Sequence, residues 1–353
     1  MDFSRRDILK MGALVIVWLG LGGLGRYLVK KLRPNDAPDA QPEEPGLGED
    51  EQEQQPPSKG EPSPRQEQYE EEEEVPTWLR PLGTTGAMVS LFGLGGGGIV
   101  AHAHRKDEAL QLIRRALDLG VNFIDTAPTY GSSEQHIGEA LHTRRSEVIL
   151  ATKTLDRSYD ETMRLFERSL ENLRTSYIDL YQIHGLRDEE DAREVIRPGG
   201  AVRALRELKE EGVVRFIGIT GHRHPTALRY VLQHEDFDCV LIPLNPAEVH
   251  FQSFKGQFLD DVSARGMGIV AMKVAAYGRL LGDTGGFSMQ QLLQYVCSLP
   301  ISTAILGLSS VGELEENVRL CRDFTPYSME EIANLEQLAK DIQGTANFFK
   351  TEW

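Results

Sequence analysis

Four side chains in this sequence have the types and spacing to move a proton onto a carbonyl oxygen. Asp125 closes the apolar run NFID, Tyr130 follows in TAPTYG, Lys153 ends VILATK and His184 ends IDLYQIH. A phenol has an ordinary pKa of about 10, so proton exchange at neutrality needs a shift of roughly three units, about 4 kcal/mol. One ammonium about 4 Å away, at an effective dielectric of about 20, supplies that much. Lys153 is the candidate ammonium. A buried lysine tends to lose its own proton, so it needs a carboxylate partner, and Asp125 is placed to be one. His184 could then donate a hydrogen bond to the carbonyl oxygen and orient it. Taken singly, each residue reads as a cap, a surface charge or a satisfied core group. The four together, three of them at a repeating interval, argue for a site.

The strands that end in these residues must position them. Short β-branched runs lie at 91–95, 122–125, 148–153, 178–184, 214–220, 239–245, 268–273 and 303–308. Between them run segments such as KDEALQLIRRALDLG and ETMRLFERSLENLR, apolar at three- and four-residue intervals. Eight strands, each followed by a helix, predict a (β/α)8 TIM barrel. Asp125, Lys153 and His184 are 28 and 31 residues apart, about one strand–helix–strand repeat, so they should share the carboxyl-end rim where barrel sites sit. A doubly wound sheet is the alternative, but no G-x-G-x-x-G follows the first strand and opens a helix. The glycine run GLGGGG at 93–98 is expected instead as a turn against a ligand.

Charge is unevenly spread along the 353 residues, whose formal net charge is -16. Residues 1–34 carry two acids against seven Lys and Arg, a net of +5, and residues 35–75 carry fifteen acids against Lys59 and Arg65, a net of -13. The remainder is near -8, a poor match for nucleic acid. Three cysteines, Cys239, Cys297 and Cys321, lie far apart without C-x-x-C spacing and predict neither a disulfide framework nor a metal site. His102, His104, His222 and His224 fall near predicted rim loops, where they could contact substrate or chelate a metal, although H-x-H pairs in loops are usually solvated.

At the N-terminus, SRRDILK (Ser4 to Lys10) precedes fifteen uncharged residues, MGALVIVWLGLGGLG. Ser4, Arg5, Arg6, Ile8, Leu9 and Lys10 resemble the bacterial twin-arginine (Tat) export signal, whose receptor passes folded proteins. A plain basic-plus-apolar anchor is the alternative. No A-x-A-like cleavage site follows, so an uncleaved membrane anchor is expected. From Pro34 to Pro76 the chain is Pro, Glu, Gln and Gly, too poor in apolar residues to order itself, and is expected as an extended tether. The predicted organisation is a signal or anchor at 1–33, an acidic disordered linker at 34–76 and the barrel at 77–353.

Several segments of the barrel resemble the aldo/keto reductase family. RPLGTTGAMVSLFGLGGGG is similar to that family's opening hairpin, which plugs the barrel floor, and FIDTAPTYGSSEQHIGEAL to its most diagnostic segment. VILATKT, YIDLYQIHG and AILGLSSVGELEENV match later ones, so the resemblance runs over residues 78 to 345. It implies that Asp125, Tyr130, Lys153 and His184 form a catalytic tetrad, with Tyr130 the general acid and hydride arriving from NADP(H). It also implies that Gly307, Ser309, Ser310, Glu316 and Asn317 hold the adenosine phosphate, where a helix N-terminus suits an anion. Thr220 and Gly221, followed by His222, stand where many members have a Ser-Asn pair. Met272-Lys273 in AMKVAAYGRL is similar to a bacterial subgroup, which makes Lys273 a further cofactor candidate. Some of that subgroup end in an iron–sulfur cysteine cluster; GTANFFKTEW holds none.

The expected function is therefore exported, membrane-tethered reduction of a small carbonyl compound, an aldehyde, ketone, quinone or sugar. The alternative is a nucleotide-binding redox sensor or regulatory subunit at the membrane.

Overall fold

In the computed structural model, residues 78–351 are described. The twin-arginine segment, the apolar run and the acidic stretch 34–76 lie outside the described residues. Among the described residues no helix is long and apolar enough to cross a membrane.

A hairpin of β1 (Leu79–Pro81) and β2 (Met88–Ser90) leads into the eight strands expected from the sequence. They are β3 (Phe92–Gly98), β4 (Phe123–Asp125), β5 (Ile149–Thr154), β6 (Ile178–Leu186), β7 (Val214–Gly221), β8 (Cys239–Pro243), β9 (Gly268–Met272) and β10 (Thr303–Leu308). All neighbours pair in parallel, and β10 pairs back to β3, closing the barrel. Around it lie α1 (Lys106–Asp118), α2 (Ser133–Leu141), α3 (Tyr159–Leu173), α4 (Glu189–Ile196), α5 (Ala201–Glu210), α6 (Pro225–Leu232), α7 (Gln257–Ala264), α8 (Met289–Cys297) and α9 (Val311–Arg322), followed by α10 (Met329–Ala339). The helices are amphipathic as their periodicity requires; α1, for example, buries Ala109, Leu110, Leu112, Ile113, Ala116 and Leu117. The strand-then-helix rule is exceeded where both α4 and α5 follow β6, and again where α10 follows α9 after β10.

Side chains alternate between faces along a strand, so every second residue of each barrel strand points inward. Inward positions are apolar at the amino ends and become polar at the carboxyl ends. Phe123 gives way to Asp125 on β4, Ile149 and Ala151 to Lys153 on β5, and Leu180 to Gln182 and then His184 on β6. That gradient is what builds a dry floor beneath a polar rim. The hairpin seals the floor: Leu82 and Val89, both fully buried, pack among Phe123, Ile149, Leu180 and Cys239. Its backbone is fastened by the Thr84 N–H on the Gly266 carbonyl at 2.8 Å and by the Ser90 N–H on the Asn122 side-chain oxygen at 2.6 Å.

The glycine run differs from its expected form, since Gly93 to Gly98 continue β3 as strand. The reason is close packing. A Cβ at Gly95 would lie 2.9 Å from the Leu306 backbone, and one at Gly96 would lie 2.5 Å from the Ser133 hydroxyl, so only glycine lets neighbouring elements approach this nearly.

Candidate active site

β4, β5 and β6 place their inward polar residues side by side. Lys153 and Asp125 are both almost completely buried, and Lys153 Nζ donates to Asp125 Oδ2 at 2.5 Å and to the Thr126 carbonyl at 2.8 Å. The other carboxylate oxygen, Asp125 Oδ1, accepts from Gln182 Nε2 at 3.0 Å. Burial pushes the lysine pKa down while the Asp125 carboxylate opposes that shift. The pair survives because each partner answers the other's charge.

Above this pair stands Tyr130, with Lys153 Nζ 5.1 Å from the centre of its ring. The loop that carries it is tightly tied. The Tyr130 N–H reaches the Ala127 carbonyl at 3.0 Å, and the Ser132 N–H reaches Ala101 O at 3.1 Å. Gly131 takes φ +54°, and a Cβ there would lie 2.4 Å from Ala101 O, so the turn needs glycine. Below it, Glu134 is buried and accepts from Thr152 Oγ1 at 2.8 Å and Asn172 Nδ2 at 2.9 Å, which anchors α2 to β5 and α3. His184 meets the Tyr130 ring edge-on, with centroids 5.9 Å apart and planes at 82°.

The electrostatics differ from the sequence expectation in one respect. Lys153 was expected to lower the phenol pKa, whereas burial and then the Asp125 carboxylate raise it. The ammonium is already answered at 2.5 Å by Asp125, so it does little to offset burial and the carboxylate at the phenol. Tyr130 therefore holds its proton firmly at rest. His184 is pushed well below the ordinary histidine pKa, by burial first and then by Lys153, and is neutral at pH 7. Its Nδ1 is buried without a hydrogen-bond partner among the described residues.

The residues expected to bind cofactor fall into three places. Thr220 and Gly221 end β7 and are buried; the Thr220 hydroxyl accepts from the Gly185 N–H at 2.6 Å, so it is engaged within the protein. Lys273 follows β9, on the wall opposite β5, with φ +59° and its Nζ 3.9 Å from the centre of the Tyr277 ring. Burial and the Lys153 charge push its pKa down to about 7. Gly307, Ser309 and Ser310 are exposed beside the N-terminus of α9, where Ser310 Oγ accepts from the Glu313 N–H at 3.2 Å. The Ser309 N–H is held at 2.8 Å by the Glu313 carboxylate. Glu316 is exposed and paired with Arg319 at 2.8 Å, and Asn317 is buried on the same helix.

A dinucleotide would fit these groups. Exposed small residues at a helix N-terminus suit a phosphate once the Glu313 carboxylate yields the Ser309 N–H. The buried Arg223 Nε, two residues beyond Gly221, is without a hydrogen-bond partner among the described residues, a cationic donor that phosphate oxygens would satisfy. Among the described residues no three His, Cys, Asp or Glu side chains gather to hold a metal. His224 is a helix cap, accepting from the Thr226 N–H at 3.0 Å at the start of α6. The sequence reading missed Gln182, although it shares the inward face of β6 with His184. It also missed Tyr277, for which the sequence holds no periodic signal.

Comparison with known proteins agrees with this geometry. A family model described as "Aldo/keto reductase family" matches residues 91–286. The chain is 36% identical over 309 residues to an uncharacterized oxidoreductase, YqkF, of Bacillus subtilis, spanning 74% of this chain and 96% of that protein. It is 30% identical to the L-galactose dehydrogenase of Arabidopsis thaliana, spanning 75% of this chain and 95% of the relative. Among solved structures, an aldo-keto reductase of Bacillus halodurans in its holo form superposes with a TM-score of 0.63 at 27% identity, covering 74% of this chain and 96% of its own.

Proposed function

Since the chain belongs to the aldo/keto reductase family and is an NAD(P)H-dependent oxidoreductase, we propose that it reduces a small carbonyl compound to an alcohol with NADP(H), Tyr130 serving as general acid. The observation that carries this reading is the buried Lys153–Asp125 pair, 2.5 Å apart, directly beneath the Tyr130 ring with His184 at its edge.

When bound, the nicotinamide supplies a hydride to the carbonyl carbon. The protein's part is to place and charge the oxygen. Neutral His184 can donate an N–H to the carbonyl oxygen and fix its direction, and the phenol donates from a second side. As the oxygen gains negative charge, the Tyr130 hydroxyl gives it the proton, and the forming tyrosinate is stabilised by the Lys153 ammonium that the neutral phenol hardly felt. Asp125 keeps that ammonium charged, and Gln182 keeps Asp125 in place. One hydride and one proton add across the C=O bond, and Tyr130 regains its proton from solvent.

The assignment is tested with the full-length protein in detergent, following NADPH and NADH oxidation against aldehydes, keto sugars and quinones beside Tyr130→Phe. Turnover that falls by about 10²–10⁴ in the variant, with nucleotide binding retained, is the expected result. A variant as active as the parent would sink the acid role of Tyr130.

The reading extends to location. Export by the twin-arginine route, with the barrel tethered outside the cytoplasmic membrane, is supported by Arg5 and Arg6 before the uncharged run and by the acidic spacer. Fusing residues 1–34 to a reporter active only after export should give a signal that Arg5→Lys with Arg6→Lys abolishes. A signal unchanged by that double substitution excludes this route.

A further inference from the structure

The loop end of β6 contains an irregularity that the active-site geometry depends on. Between β6 and β7, Ile183 pairs with Ile219 and Leu186 with Gly221, so His184 and Gly185 on one strand face Thr220 alone on the other. This is a β-bulge of two residues against one. Its effect is to re-aim the first of the two side chains, and that side chain is His184. A bulge also removes its residues from the regular ladder, so their backbone groups need other partners.

Two side chains supply them. Thr220 Oγ1 accepts from the Gly185 N–H at 2.6 Å, from the position directly across the bulge. From the other side Arg157 donates through Nη1 to the His184 carbonyl at 3.0 Å and through Nη2 to the Gly185 carbonyl at 3.1 Å. The rest of that guanidinium is also engaged. Nε and Nη2 clamp the Asp191 carboxylate of α4 at 2.7 and 2.8 Å, and Nη1 reaches the Leu155 carbonyl at 2.9 Å. One arginine fork thus joins the loop after β5, the bulge of β6 and the first turn of α4. The His184 ring has no such hold of its own, because its buried Nδ1 lacks a hydrogen-bond partner among the described residues. With Nδ1 unbonded, the direction of the ring depends on the backbone that carries it and on its edge contact with Tyr130.

We propose that Arg157 and Thr220 are positioning residues that clamp the β6 bulge and so aim His184 at the carbonyl oxygen. This rests on the reductase reading for its consequence in turnover, but the clamp itself does not. It also moves Thr220 from the cofactor-binding group to the machinery that places His184.

The test uses Thr220→Val, which keeps the shape and removes the hydroxyl, beside Thr220→Ser, which restores it, and Arg157→Lys, which keeps the charge but cannot span both carbonyls and Asp191. Each is compared with the parent for kcat, KM, nucleotide Kd and the pH titration of the His184 imidazole followed by NMR. The expected result for Thr220→Val and Arg157→Lys is a kcat lower by about tenfold to a hundredfold, as a small misplacement of a reacting group produces. Nucleotide Kd should stay within about twofold, Thr220→Ser should recover most of the loss, and the His184 titration should move up toward its ordinary range as water reaches a loosened ring. Weakened nucleotide binding at unchanged kcat in Thr220→Val would assign Thr220 to the cofactor and overturn the clamp. Should the parent turn over nothing on the panel, the NMR titration decides alone. A His184 titration that shifts in Thr220→Val keeps the clamp while the reductase reading fails, and an unshifted one ends the clamp as well.

Discussion

Two lysine–carboxylate pairs are buried among the described residues, and they are held very differently. Lys350 and Glu248 are both fully buried at 2.6 Å, and the ammonium is crowded with acceptors. Besides the carboxylate it reaches the carbonyls of Glu248, Phe251 and Gln252. Glu248 in turn accepts from the Phe254 N–H at 2.6 Å and from the Ser253 hydroxyl at 3.2 Å. Among the described residues Lys153 has only the Asp125 carboxylate and the Thr126 carbonyl, with the Tyr130 ring standing over it. Saturation separates the two. An ammonium whose donors are all answered fastens the chain's C-terminal segment to the loop after β8, while one with a donor to spare can answer charge that forms only during a reaction.

The largest effect that can break this comparison is on turnover. Lys153→Met should lower kcat of the folded fraction by about 10²–10⁴, because the tyrosinate formed in the transition state loses its counter-charge. Steady-state kinetics on protein whose folded fraction is fixed by circular dichroism reads this out. A loss below about threefold would mean that Lys153 serves structure alone, like Lys350.

Lys350→Met should do the converse. It leaves Glu248 buried without its ammonium, which costs about 3–5 kcal/mol of stability. Burial already pushes the Glu248 carboxyl above its usual range, so in the variant it will take up a proton. Urea unfolding should show the loss, with kcat of the remaining native protein within about twofold of the parent. A matching fall in kcat would place the C-terminal segment in the chemistry and erase the distinction.

The two pairs also differ in how far they could be read from the sequence. Asp125, Lys153 and His184 were legible because each ends a β-branched run and the runs repeat at one strand–helix interval. The barrel came from the same repeats, with strand limits within a few residues of those observed. Gln182 was missed because a polar residue inside an apolar strand was not followed two positions on to His184. Glu248 and Lys350 gave no signal, being 102 residues apart and outside any periodic element. The glycine run was misplaced because a turn and a crowded strand both demand glycine, and only the neighbours Leu306 and Ser133 decide between them. The direction of the Tyr130 shift was lost for a related reason, since a sequence shows which charges are near but not which are already cancelled.

A smaller effect follows from the histidines at the rim. His222 is pushed down to about 3 by burial and by Lys273 and Lys153. Between the folded value and the ordinary value of about 6.5, the unfolded chain binds the extra proton, so stability is present at neutral pH and is lost as pH falls through that window. The slope is about 1.4 kcal/mol per pH unit for one fully titrating group. Thermal melts at pH 7 and pH 5 should show this fall, and His222→Asn should flatten it by about one such slope. A variant with an unchanged slope would place the acid sensitivity elsewhere, with His184 the next group to test.

The smallest expected effect concerns the far end of the nucleotide. The Glu313 carboxylate occupies the Ser309 N–H at the start of α9, where the adenosine phosphate is expected. A 2′-phosphate would have to displace a like charge there, whereas the 2′-hydroxyl of NAD could simply donate to it. Glu313 is exposed, so the penalty is that of a surface charge, up to about 1 kcal/mol. Glu313→Gln should therefore raise kcat/KM with NADPH relative to NADH by about two- to fivefold, an effect that weakens with salt. An unchanged ratio at low ionic strength would mean that the phosphate does not sit at Ser309. The cationic donor at Arg223 would then become the residue to follow.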